Sequence, residues 1–290
     1  MNQNHSKDRF RSKLYFLDRN VIIAIKRYNE LTIRKRDKIP KNDTKIISFL
    51  KREDTKKNMF TPLLSIMEGS SGKEEDAKEI KENIKKEIRE LSKFFKKSHI
   101  ESSLIKPHIR ESFLRAMTSV GHKYQIYCWI QFLKEANYHL SKNIRQDRKS
   151  YIANEILKIA EKYDIDINHP IIIAALAKLY GDNTGQKILK FKSKEEEINF
   201  YNSVMDINCL WRFLRLTGKN NISPYKHKLQ FKFITGDKGL DRFFNYFNFL
   251  ETRVEGDGFD AKLYFSLSQY GKNNLPKELI EFYRKINLNY

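Results

Sequence analysis

The stretch KLYFLDRNVIIAIKRY, residues 13–28, decides how the chain is read. An apolar run rises from Leu14 to Leu17, breaks at Asp18 and Asn20, and resumes as Val21-Ile22-Ile23-Ala24-Ile25. Leu, Tyr, Phe and Leu in succession carry no helical periodicity, which predicts a strand over 13–18. Asp18 or Asn20 then caps a helix starting at Val21. Two apolar segments thus meet at a carboxylate and an amide.

Downstream, a basic polar stretch from Arg34 to Lys57 surrounds one short apolar helix, IISFL. TPLLSIMEGSSG, 61–72, reads as a helix with Pro62 in its first turn and a Gly/Ser terminus. Residues 73–97 read as a long amphipathic helix whose apolar stripe is Ile80, Ile84, Ile88 and Leu91. Further helices are expected over about 100–118, 124–140 and 151–163. Because no flexible Gly/Pro/Ser linker brackets this block, 73–163 is expected to be a helical insertion or cap within one domain, 1–290.

Asp166 to Pro170 reads as a loop capping a helix at 171–180, with Pro170 near its first position and Gly181 just beyond its end. A buried strand at Ile171–Ala174 is the alternative for that run. Residues 195–217 look helical and Asn220–Lys228 forms a polar loop. LQFKFIT, 229–235, is the second clear strand, ending at Gly236-Asp237-Lys238-Gly239; AKLYFSLS, 261–268, is a third candidate before a C-terminal helix containing LIEFYRKI.

The chain has 290 residues, 40% of them hydrophobic, and 56 Lys and Arg against 36 Asp and Glu give a formal charge of +20. That excess favours polyanions, nucleic acid above all, although a lysine-rich surface also serves solubility. Two cysteines, Cys128 and Cys209, exclude a disulfide framework and a multi-cysteine zinc site, and suit a reducing compartment. The N-terminus shows no apolar signal region, and the longest apolar run, Ile171 to Ala177, is too short to span a bilayer. The expectation is a soluble cytoplasmic protein with no membrane partner.

Two strands end in an acid, LYFLD at Asp18 and FKFITGD at Asp237, and ligands of α/β sheets bind beyond the carboxyl ends of strands. Singly, Asp18 serves equally as a helix cap and Asp237 as a turn residue. Glu68 closes the apolar segment PLLSIM, and Asp206 lies among Phe200, Val204, Cys209 and Trp211. A carboxylate with apolar neighbours needs a partner, because an isolated buried charge is very costly; a solvated surface position is the plainer reading of Glu68, and Asp206 serves equally at an exposed or N-terminal helix position.

As a group the four acids resemble the pattern of PIN-domain nucleases. LYFLDRNVII is similar to that family's first motif, a strand ending in Asp-x-Asn before a hydrophobic helix. TPLLSIMEG resembles the second, a helix carrying a glutamate, and NSVMDINCLW the third, an aspartate at the start of a helix. FITGDKGL is similar to the fourth, a strand ending in Thr-x-Asp. The matching residues run from about 13 to 242. The long gap from Glu68 to Asp206 requires a helical insertion, and the gap to Asp237 is stretched by the 220–228 loop. HPIIIAALAKLYG, leading into YNSVMD, resembles an extended PIN-like subgroup.

The resemblance implies an α/β, PIN-like three-layer fold with a central, mainly parallel sheet and a large helical insertion. It implies an endoribonuclease leaving 5′-phosphate and 3′-hydroxyl ends, with Asp18, Glu68, Asp206 and Asp237 as catalytic metal ligands. Converging carboxylates repel one another unless a cation neutralises them, and hard oxygen donors suit Mg2+ or Mn2+. Asn20 and Thr235 are candidates for holding those carboxylates in place. Arg34, Lys35, Arg36 and Lys238 are candidate phosphate contacts on an RNA rim. Tyr124, Tyr127 and Trp129 can stack unpaired bases, or can equally be core. RNA rather than DNA is the expected substrate, in the setting of a toxin or defence effector that a partner protein inhibits or activates.

Other readings compete. Arg115 and His122 have a spacing compatible with the Arg…His pair of metal-independent HEPN ribonucleases. GDNTGQK, 181–187, suggests a phosphate loop but lacks its spacing, so a helix terminus and turn is expected there. A non-catalytic, basic protein that binds nucleic acid or a partner is the reading from a different class.

Overall fold

The structure, a computed structural model, describes residues 12–31, 39–69, 72–167, 169–192, 198–222 and 229–245, together with residue 281. Its contacts divide these residues into two compact units. The first holds the described residues up to Thr118 together with Lys219–Asp237; the second holds Ser119–Gly218 and the described residues from Lys238 onward.

The first unit is built on a four-stranded sheet in the order β3-β2-β1-β4, every pairing parallel. β1, Ser12–Leu17, follows from its run of aromatic and apolar residues and leads through Asp18 directly into α1, Arg19–Glu30. α2, Lys41–Glu53, returns the chain to β2, Met59–Thr61, where Pro62 ends the strand and precedes α3, Leu63–Glu68. A proline cannot donate to the ladder, so it sits naturally at that junction. α4, Ala77–Phe94, opens on a capping box: the Glu79 amide donates to Asp76 at 2.8 Å, and the Asp76 amide donates back to Glu79 at 2.9 Å. β3, His99–Ile100, and α5, Pro107–Met117, complete the consecutive part. β4, Leu229–Ile234, joins from far along the chain and pairs with all six residues of β1, from Ser12↔Leu229 to Leu17↔Ile234.

Parallel strands need both faces covered, and β1 is buried accordingly from Leu14 to Leu17. Tyr15 stacks on Phe60 with ring centroids 4.9 Å apart, and Phe60 on Phe95 at 3.8 Å. Leu17, Val21, Ile22 and Ile25 close the same core without exposure. Each such burial is worth about 1.5–3 kcal/mol. The α4 stripe expected at Ile80, Ile84 and Ile88 packs with Ile66, Leu104 and Leu114 in a second cluster.

The second unit is helical among the described residues: α6, Val120–Leu140; α7, Lys149–Lys162; α8, Pro170–Leu179; α9, Asn183–Leu189; most of α10, Phe200–Ile222; and α11, Lys238–Phe244. α8, PIIIAALAKL, is apolar and buried at every position but Lys178. It starts with Pro170 behind the His169 cap, and Gly181 follows its end at φ 89°, so the helical reading of 171–180 holds and the strand reading does not. GDNTGQK is likewise a helix terminus and turn: the Asp182 side chain caps α9 through the Thr184 and Gly185 amides. The helical block expected over 73–163 is divided, α4 and α5 lying with the sheet and α6 and α7 in the second unit. The strand expected at 261–268 lies outside the described residues, as do residues 223–228 of the 220–228 loop; most of the C-terminal helix also lies outside them. No helix of the described residues is long and apolar enough to cross a membrane.

Candidate functional site

In strand order 3-2-1-4 the chain reverses direction across the sheet between β1 and β4, and the crevice beyond the carboxyl ends of two such strands is where α/β sheets place ligands. Asp18 stands there. Its backbone N–H donates to the Ile234 carbonyl at 3.0 Å, carrying the ladder one residue past β1. Its own carbonyl accepts from Val21 and Ile22, so the turn into α1 is fixed.

The Asp18 side chain is 1% exposed. Oδ1 accepts the Arg19 amide at 2.8 Å, which makes Asp18 the cap of α1. Oδ2 accepts the Thr235 hydroxyl at 2.6 Å and, at 3.4 Å, the Asn20 side-chain amide. Hydrogen bonds to a charged acceptor are the strong ones, and together they offset the desolvation of a buried carboxylate. Thr235 Oγ1 also accepts the Asp237 amide at 3.0 Å, so one hydroxyl links the Asp237 backbone to the Asp18 carboxylate.

Glu68 reaches the same place from α3. Its Oε2 accepts the Arg19 amide at 3.3 Å, so Asp18 and Glu68 share a single N–H. That N–H lies in the first turn of α1, where the exposed amides of a helix favour negative charge. Of the four expected acids, Asp18 and Glu68 thus meet at one amide, and Asp237 is tied to Asp18 through its backbone amide and the Thr235 hydroxyl. The fourth, Asp206, belongs to the second unit, half-buried on α10 between Met205 and Ile207. Lys238 is exposed at the start of α11, also in the second unit, and Arg34, Lys35 and Arg36 lie outside the described residues.

Arg19 and Glu87, which no sequence motif singled out, support the site. Glu87 of α4 is fully buried, and its Oε1 pairs with Arg19 Nη1 at 2.6 Å and with Lys26 Nζ at 3.7 Å while accepting the Ser65 hydroxyl at 3.2 Å. Its Oε2 has no hydrogen-bond partner. Burial pushes the Glu87 carboxyl up against the pull of Arg19, Lys26 and Ser65. Burial holds the Lys26 ammonium down against the pull of Glu87, so both shifts favour the uncharged forms. Arg19 thus works twice: its amide receives Asp18 and Glu68, and its guanidinium is anchored on Glu87. A signal for Glu87 was present, since it falls on the stripe of Ile80, Ile84, Ile88 and Leu91, where a carboxylate must be buried.

Among the described residues no three carboxylates, histidines or cysteines form a ready-made metal cage. The donor set nevertheless fits a hard divalent cation, because Mg2+ commonly takes one or two carboxylates and leaves its other positions to water and substrate phosphate. Asp18 and Glu68 supply such a pair without competing sulfur or imidazole. Cys128 and Cys209 are not joined in a disulfide, and both are buried in the second unit. Against known families, characterised proteins and solved structures, the chain gives no match.

Proposed function

We propose that the chain is a PIN-like, metal-dependent endoribonuclease that hydrolyses RNA phosphodiesters at the β1/β4 edge. The observation that carries this reading is the sharing of one amide by Asp18 and Glu68 beyond the carboxyl end of β1, with the Asp18 carboxylate tied to β4 through Thr235. Asp18 and Glu68 would hold Mg2+ or Mn2+, with Asp237 beside them. When bound, the ion supplies positive charge that screens the scissile phosphate and acidifies water. The chain's own part is positional. Thr235 and Asn20 fix the Asp18 carboxylate, Arg19 and Glu87 fix the amide at which Glu68 meets it, and the +20 charge gathers RNA near an acidic centre. Asp206, a cytoplasmic location and a partner that inhibits or activates a toxin or defence effector belong to the same proposal through the family resemblance.

The test is cleavage of single-stranded RNA by the full chain with Mg2+ or Mn2+ and with EDTA, comparing Asp18→Asn and Asp237→Asn. Asparagine caps a helix as well as aspartate does, so Asp18→Asn leaves the fold of α1 in place. Metal-dependent cleavage lost in both variants supports the reading. A second reading, a non-catalytic nucleic-acid-binding protein, is favoured by the capping role of Asp18 and by the lack of a three-carboxylate cluster among the described residues. RNA bound by the chain yet intact under every metal condition would favour it instead.

A further inference from the structure

Six large apolar side chains stand exposed among the described residues, and four of them, Val120, Tyr124, Tyr127 and Tyr138, are on α6. At about 100° per residue they fall on one stripe of the helix, opposite buried Ile126, Trp129, Phe132 and Leu133. Their exposures are 84, 67, 55 and 75%. Single exposed aromatics need no explanation, but an aligned set of them marks a binding surface.

The chemistry of the stripe selects the occupant. The Tyr124 and Tyr127 rings are inclined by only 25° with centroids 6.5 Å apart, presenting two near-parallel π-faces on successive turns. Between Ser119 and Lys149 the chain carries six Lys or Arg against two acids, Glu135 and Asp147. Glu135 pairs with Lys162 at 2.6 Å and accepts the Tyr163 hydroxyl, Asp147 pairs with Arg145 at 3.2 Å, and Asp164 acts on Tyr124 from the turn after α7, so the excess of positive charge rests on Lys123, Lys134, Lys142, Arg148 and Lys149. Flat aromatic faces in a cationic setting suit a strand that offers unpaired bases and phosphates together. A duplex keeps its ring faces stacked inside and offers α6 nothing to stack on.

We propose that the Tyr124–Tyr127–Tyr138 face of α6 is a stacking platform for the unpaired bases of single-stranded RNA. The choice of RNA rests on the proposed nuclease activity; the stacking itself does not. Binding is therefore measured with full-length Asp18→Asn protein in EDTA, so that it reads the same whether or not the chain cleaves. The probe is a short fluorescein-labelled oligouridylate followed by anisotropy, beside the same length of oligodeoxythymidylate and of duplex RNA. Adding Tyr124→Ala and Tyr127→Ala should weaken oligouridylate binding about ten-fold or more. The corresponding Phe pair should bind as the parent does, and duplex binding should be unchanged by either pair. All these side chains are exposed, so thermal midpoints should match. Parent-like affinity in the Ala pair, an equal loss in the Phe pair, an equal loss on duplex, or capture of a protein partner with no oligouridylate binding each overturns the platform. Tighter binding of the deoxy strand overturns its assignment to RNA.

Discussion

Thr235 Oγ1 stands 2.6 Å from Asp18 Oδ2, joining residues 217 positions apart at the ends of two adjacent parallel strands. The same oxygen accepts the Asp237 amide, so one hydroxyl holds a buried carboxylate and shapes the turn beside it. Thr235→Val keeps the shape and removes both bonds. We expect a loss of about 2 kcal/mol, because a buried charged acceptor is left short of a donor. Thr235→Ser should recover most of it. Urea unfolding checks this: a lower midpoint for the Val variant at unchanged slope is expected, and equal midpoints would refute the role of the hydroxyl.

Glu87 separates charge from shape. Its raised carboxyl means that its protonated form is the better tolerated one inside the fold. Glu87→Gln keeps an oxygen for Arg19, Lys26 and Ser65 and should stay within about 1 kcal/mol of the parent. Glu87→Ala leaves Arg19 and Lys26 facing a cavity and should cost about 3 kcal/mol or more. The sign with pH follows from the raised value. Glu87 contributes stability below the ordinary carboxylate range and loses it as pH rises, so the parent gains on the Gln variant as the solution is acidified. If Gln proves as damaging as Ala, a full negative charge is required at this position.

How much of this was legible beforehand depends on segment length. β1 and β4 announce themselves, each with four aromatic or apolar residues of six and ending near an acid. β2 and β3 did not, because three and two residues carry no periodicity; they exist through their pairing with β1 and with each other. The side chains of Asp18, Asn20 and Thr235 meet, with the Asp237 backbone amide on the Thr235 hydroxyl, because the ends of two paired strands lie side by side. Asp206 lies on a helix of the other unit, where local context fixes neither depth nor neighbours. Of the three aromatics considered for stacking, Tyr124 and Tyr127 are exposed while Trp129 is 4% exposed, as the helical spacing from Ile126 to Leu133 dictates.

His169 makes the second unit acid-sensitive. It lies between Trp129 and Trp211, with ring centroids at 4.7 and 5.0 Å, and its Nδ1 accepts the Ile171 amide at the start of α8. Burial alone holds its pKa down at about 3. The unfolded chain therefore takes up a proton below about pH 6.5 that the folded chain refuses. The stability is present above that value and falls as pH falls, by about 2 kcal/mol at roughly pH 5. The chain has two tryptophans, and both flank this ring, so their fluorescence reports the site directly. His169→Asn retains a capping oxygen and should give a flatter stability profile between about pH 7 and 5, from a lower start. An equally steep profile in the variant would place the titrating group elsewhere.

Gly185 tests how closely α9 lies against α8. A Cβ built there would stand 2.6 Å from the Ala174 carbonyl oxygen and 2.7 Å from the Lys178 nitrogen, both backbone atoms that cannot swing aside. Gly185→Ala should therefore push the two helices apart, at a cost of about 1–3 kcal/mol. Gly121, in the first turn of α6, is the control, because a Cβ there meets nothing within 4 Å. There the greater helix propensity of alanine acts alone, and Gly121→Ala should stabilise by about 0.5–1 kcal/mol. Opposite signs for the two substitutions in thermal unfolding are the expected result. A neutral or stabilising Gly185→Ala would mean that α8 and α9 do not pack at this separation.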